Sequence, residues 1–187
     1  MYHPYFRGKQ YELIAIRETA ALMAGLNFVP IIEPVKESLG GLERTLKTVC
    51  DAHGKAVVIV NPYHGDHRED GVGISALLQK GYLGDQSIRA GILLKDDMSL
   101  GETMAYRERH QGHELTLIHA GFTQPKALVE TLCEGLAATR TKRQPPRYIS
   151  SGVAPTWPFC HSSGTKRHIE PVHSRFSSVA DHPFIPM

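Results

Sequence analysis

The chain has 187 residues, 41% of them hydrophobic and 21% charged, with a formal net charge of +2. That length suits one domain with a buried core, and the near-neutral charge lacks the basic surface with which nucleic-acid binders attract phosphate, so nucleic acid is not indicated as a partner. The longest apolar runs, such as Ala56-Val57-Val58-Ile59-Val60, are strand-sized and far below the roughly 20 residues of a membrane-spanning helix, so no membrane association is expected.

Apolar clusters of strand length alternate along the chain with longer stretches of helical period. A first strand is expected near residues 2–6, followed by a helix over 10–26 with Leu13, Ile16, Ala20 and Met23 on one face and Gly25 as its stop. Residues 28–33 read as the second strand. Leu39, Leu42, Leu46 and Val49 recur at spacings of three and four and mark a helix closed by Gly54. The run 56–60 cannot alternate between a wet and a dry face, so it must be covered on both sides, as in a parallel sheet. It stops at Asn61-Pro62.

A short helix is expected over 74–80, a fourth strand over 90–94, a helix with a thin apolar face over 98–110 and a fifth strand over 115–118. Thr123 is read as the N-cap of a last helix, with Pro125 in its first turn and Ala127, Leu128, Leu132 and Leu136 as its buried stripe. The implied fold class is α/β: repeated βα units forming a partial (β/α) barrel of TIM-barrel type or an open parallel sheet. The repeat is common to both.

After Arg140 the chain changes character. Prolines, serines and histidines accumulate from 141 to 187, acids are confined to Glu170 and Asp181, and neither structural period persists. The expected organisation is an α/β domain over 1–140 and an irregular or disordered tail over 141–187. Because the tail starts abruptly where a strand is due, it is also read as a translation in the wrong frame, which would make this a truncated barrel. Cys50, Cys133 and Cys160 are widely spaced without a CxxC pair, so neither a disulfide framework nor a zinc ribbon is indicated. The N-terminus lacks the basic-then-apolar order of a secretory leader, and the cytoplasm is the expected compartment.

The segments Tyr2-His3-Pro4-Tyr5-Phe6-Arg7-Gly8-Lys9-Gln10, Pro30-Ile31-Ile32-Glu33-Pro34-Val35 and Asn61-Pro62 resemble the beta protein family of phages and bacteria. The likeness covers residues 1–140. It implies a barrel-like α/β fold and a phage or mobile-element association, but supplies no catalytic residues to carry over. Family members continue with further strand-helix units where this chain has its tail.

Parallel α/β folds gather ligands at the C-terminal ends of their strands. That rule selects Glu33 after the second strand, Asn61 with Tyr63 and His64 after the third, Lys95 and Asp96 after the fourth, and His119 after the fifth. Glu33, His64, Lys95 and His119 supply a carboxylate, imidazoles and a cation, the parts of general acid-base chemistry. Glu33 is favoured because Pro30 and Pro34 stiffen its segment. Arg7 and Lys9, on either side of Gly8 before the first helix, are read with Asn61 as binding residues, as in a small anion cradle. Strand ends in any such fold are polar where they meet water, and each residue has that plainer explanation.

The loop containing His64, Asp66 and His67 is rich in metal-ligand types without a metal-site spacing, as are Cys160, His161, His168 and His173 in the tail, and no metal is expected. No G-x-S-x-G elbow or G-x-G-x-x-G fingerprint occurs, so no cofactor follows. The expected function is a small-molecule or nucleotide site at the strand ends, the alternatives a non-catalytic protein that docks a partner encoded nearby or a truncated, non-functional product.

Overall fold

The structure is a computed structural model that describes residues 1–138 and 147–150. The alternation expected from the sequence forms β1 (Tyr5–Phe6), α1 (Gln10–Gly25), β2 (Ile31–Ile32), α2 (Gly40–Asp51), β3 (Ala56–Ile59), α3 (Val72–Gly81), β4 (Ile88–Lys95), α4 (Leu100–Arg109), β5 (Leu115–Ala120), α5 (Pro125–Ala138) and β6 (Arg147–Ser150). All neighbouring strands are parallel, and their spatial order is β1-β2-β3-β4-β5-β6. A doubly wound sheet reverses its winding at a switch point, whereas a (β/α) barrel adds every strand in the same rotational sense. The order here never reverses, and the sheet is curled into a half-barrel.

Strand alternation divides the core into two layers. Ala56, Val58 and Val60 on β3 and its end, with Ile88, Ala90, Ile92 and Leu94 on β4, join Leu13, Ile16, Leu42, Leu46 and Val49 of the helices in one cluster. The intervening residues Val57, Ile59, Leu93 and Ile118 form a second cluster with Val29 and Ile31 on the concave side. Every residue of β3 is therefore buried, as its unbroken apolar run requires.

Element ends differ from the sequence reading for identifiable reasons. β2 is two residues long, but backbone bonds from Val29, Ile31 and Glu33 to Tyr2, Pro4 and Phe6 continue the pairing on both sides of it. The left-handed residues that follow the first two helices are Asn27 (φ 56°) and His53 (φ 54°), one position or more away from the glycines read as stops. Gly54 serves packing instead, since a Cβ there would lie 3.2 Å from Val49. Helix α4 begins with a capping box in which Ser99 and Glu102 exchange hydrogen bonds, which offsets its thin apolar face. In α5 the carbonyl of Gln124 accepts the first bond, from the Leu128 amide, so the capping position is Gln124 and not Thr123.

One described strand lies beyond residue 140: β6 pairs with β5 from Thr116↔Arg147 to His119↔Ser150. Its four residues are too few to display a period. The remainder of the tail reading, including Cys160, His161, His168 and His173, falls outside the described residues. Among the described residues no helix is long and apolar enough to cross a membrane.

Candidate functional site

The register places three of the candidate residues on one side. Glu33 continues the alternation of Val29 and Ile31, Asn61 that of Val57 and Ile59, and Lys95 that of Leu93, so all three belong to the concave face at its C-terminal rim. Tyr5, paired with Ile31, shares that face.

Glu33 is fully buried. A buried carboxylate must be met by donors, and here they come from three directions. The Tyr5 hydroxyl donates to Oε2 at 2.9 Å, the amides of Tyr63 and His64 donate to Oε1 at 2.7 and 3.0 Å, and the His64 Nδ1 lies 3.3 Å from Oε1. Glu33 thus ties the loop after β3 to the end of β2. Partial burial, then the Glu33 charge, pushes the Tyr5 phenol above its ordinary range, which keeps it a donor.

The loop held by Glu33 presents Tyr63 and the half-exposed His64 to solvent. The Tyr63 ring lies 5.6 Å from the Lys95 ammonium and 6.0 Å from the Arg68 guanidinium, within cation–π range. Lys95 also donates to the Pro62 carbonyl at 3.1 Å. Partial burial draws its pKa down, opposed by the negative charges of Asp97 and Glu33. The result is a rim with a cation, an aromatic face and an imidazole, each fixed by the loop's anchorage.

Asn61 has a different task. Its carboxamide accepts from the Leu93 amide and donates to the Leu93 carbonyl, both at 2.8 Å, extending the β3–β4 ladder by one step. With both polar atoms engaged, it is a strand joint more than a ligand contact. His119 is not brought to the rim cluster. Its register partner is Leu94, which belongs to the helix-side layer, and its ring bonds locally with the Phe122 carbonyl and the Gly121 amide.

Arg7 and Lys9 are exposed in the loop before α1. Between them Gly8 has φ +59°, and a Cβ there would meet the Glu33 carbonyl oxygen at 2.8 Å. The glycine is required by close packing of two backbones at the Glu33 segment. In the loop after β3, the Asp66 carboxylate accepts from the Glu37 amide at 2.8 Å. Among the described residues no group of three or more His, Cys, Asp or Glu is placed to hold a metal ion.

Protein-family models, curated proteins and solved structures yield no match to this chain. The site therefore has to be understood from its own geometry. Sequence reading selected Glu33, His64 and Lys95 but missed Tyr5 and Arg68. Tyr5 carried a weaker signal: it lies two residues before Arg7-Gly8 in an expected strand, and its pairing with Ile31 is what places it beside Glu33.

Proposed function

We propose that the protein binds a small phosphate-bearing molecule, such as a nucleotide, at the C-terminal rim of β2–β4. The observation that carries this reading is the buried Glu33, whose hydrogen bonds hold the Tyr63-His64 loop beside Lys95. Lys95 and Arg68 supply positive charge to an anionic group, and His64 supplies an exposed imidazole. Support comes also from the general placement of ligand sites at this edge of parallel sheets. The resemblance of the N-terminal segments to the beta protein family belongs to the same proposal, with a phage or mobile-element origin.

The test is ligand-induced thermal stabilisation with AMP, ATP and inorganic phosphate, each against adenosine. AMP or ATP should raise the melting temperature of the parent chain and leave Lys95→Met unmoved. The reading fails if no phosphate-bearing probe stabilises the parent, or if Lys95→Met responds as the parent does.

Docking of a protein partner is a second reading, favoured by one feature. Among the described residues β1 is an edge strand, and its Tyr5 and the preceding Tyr2 are 46% and 59% exposed. Aromatic side chains on an unpaired edge suit strand addition or a hydrophobic contact. A Tyr2→Ser change that abolishes co-purification of a specific partner, without altering phosphate-ligand binding, would separate this reading from the first.

A further inference from the structure

A cavity lies between α1 and α2, bounded also by Pro34 and by Asp66 of the loop after β3, and neither Tyr63 nor Lys95 lines it. It has a volume of about 510 Å3, within the range of roughly 300–1,000 Å3 usual for small-ligand sites. Its lining is of two kinds. Leu13 and Leu42, both buried, and Leu39 give it an apolar wall, and Gly41 lets α2 approach so closely that a Cβ there would lie 3.3 Å from Leu13. Arg17 and Arg44 give it charge.

Both arginines are fixed at one end only. Arg17 donates from Nη1 to the hydroxyl of the fully buried Thr45 at 3.0 Å, and that hydroxyl is itself anchored on the Gly41 carbonyl at 2.8 Å. Arg44 donates from Nε to the Gly40 carbonyl at 3.1 Å. Among the described residues neither arginine forms a salt bridge with a carboxylate. Each guanidinium has further N–H donors in a planar fork, and a fork pinned by one bond loses little additional freedom on gripping an anion.

We propose that this cleft binds an organic carboxylate with an apolar body, its carboxylate held by Arg17 and Arg44 and its hydrocarbon laid on Leu13, Leu39 and Leu42. The acidic residues of the cleft select among anions. Glu37 and Asp66 also line it, as does Lys36, and the two carboxylates repel a second negative charge on the ligand. Neither helix is closed by a side-chain cap at its N-terminus, where Lys9 and Leu39 stand, and the first-turn residues Gln10 and Gly41 line the same cleft. Their backbone donors add to the preference for negative charge.

The probe is decanoate below its micelle concentration, titrated calorimetrically into the full chain. One saturable site is expected, weakened by about tenfold or more in the Arg17→Gln/Arg44→Gln double variant, because charge-assisted hydrogen bonds are lost. Ser38→Trp, which narrows the cleft from an exposed lining position without touching the Arg17–Thr45 bond, should also abolish binding and guards against a double variant that fails to fold. Decylamine should not bind. Absence of decanoate binding to the parent chain, equal binding by decylamine, or full binding by Ser38→Trp would each overturn the assignment. Decyl phosphate binding more tightly than decanoate would overturn the preference for single charge. Lys95→Met should bind decanoate as the parent does; loss of binding there would place the ligand at the rim site and refute the cleft.

Discussion

His110, just beyond α4, has no exposed surface, and its Nε2 lies 3.1 Å from the Ser75 hydroxyl of α3. Burial, followed by the charges of His113 and Arg109, pulls its pKa from 6.5 down to about 4. The folded chain thus holds a neutral imidazole that the unfolded chain protonates freely once the pH falls below its ordinary pKa. Stability from this residue is fully present above pH 6.5 and is lost progressively as the pH falls to about 4. The interval corresponds to about 3 kcal/mol at full effect, at ~1.36 kcal/mol per pH unit. Urea unfolding of the parent and of His110→Gln at pH 7 and pH 4 isolates the contribution, because carboxylates common to both chains cancel in the comparison. The stability lost between the two pH values should be about 3 kcal/mol smaller in the variant. Equal acid sensitivity would show that His110 is not held neutral by its surroundings and would refute the reasoning.

Arg89 is 1% exposed on the concave side of β4, with Nε 3.0 Å from Glu114 and no hydrogen-bond partner for its Nη atoms among the described residues. Removing the carboxylate by Glu114→Ala should cost about 3–5 kcal/mol in urea unfolding, as expected when a buried charge loses its partner, whereas Arg89→Met should cost distinctly less; the reverse order would show that Glu114 does not compensate Arg89. Gly91 lies above it, and a Cβ there would come within 2.7 Å of Val57 and 3.1 Å of Ile118. Gly91→Ala should therefore destabilise by about 1–3 kcal/mol through overpacking, and an unchanged melting temperature would mean that the concave layer has room to yield.

The repeating unit was legible because burial imposes its own spacing. Leu42, Leu46 and Val49 recur at helical intervals and are all buried on α2, and the five apolar residues from Ala56 are buried on both faces as their lack of alternation demands. The strand order was not legible, since barrel and open sheet share the same unit and differ only in where successive strands are laid. β4 starts at Ile88, earlier than its apolar run, because Glu114 across the ladder compensates the charge of Arg89. Glu33, His64 and Lys95 could be selected from strand ends alone. His119 could not be excluded that way: Leu117 and Ile118 just before it are both apolar although they take opposite faces, and pairing with Leu94 sets the phase. Ser75, His110 and His113 were missed because a hydrogen bond between α3 and the end of α4 joins residues that share no local pattern.

The uninterrupted strand order has a consequence for synthesis. Each strand docks on the one translated just before it, so no unit must wait for a distant partner, and each pairing closes a single helical crossover, as from Tyr5 to Ile31 or from Ala90 to Leu115, and no longer loop. A nascent chain can assemble from its first unit onward, with the newest strand always offering the template for the next. Besides the standing edge at β1, the vulnerable surface during that process is a moving front, the unpaired edge of whichever strand has most recently emerged, and it is there that a pause in translation would expose the chain to unwanted pairing.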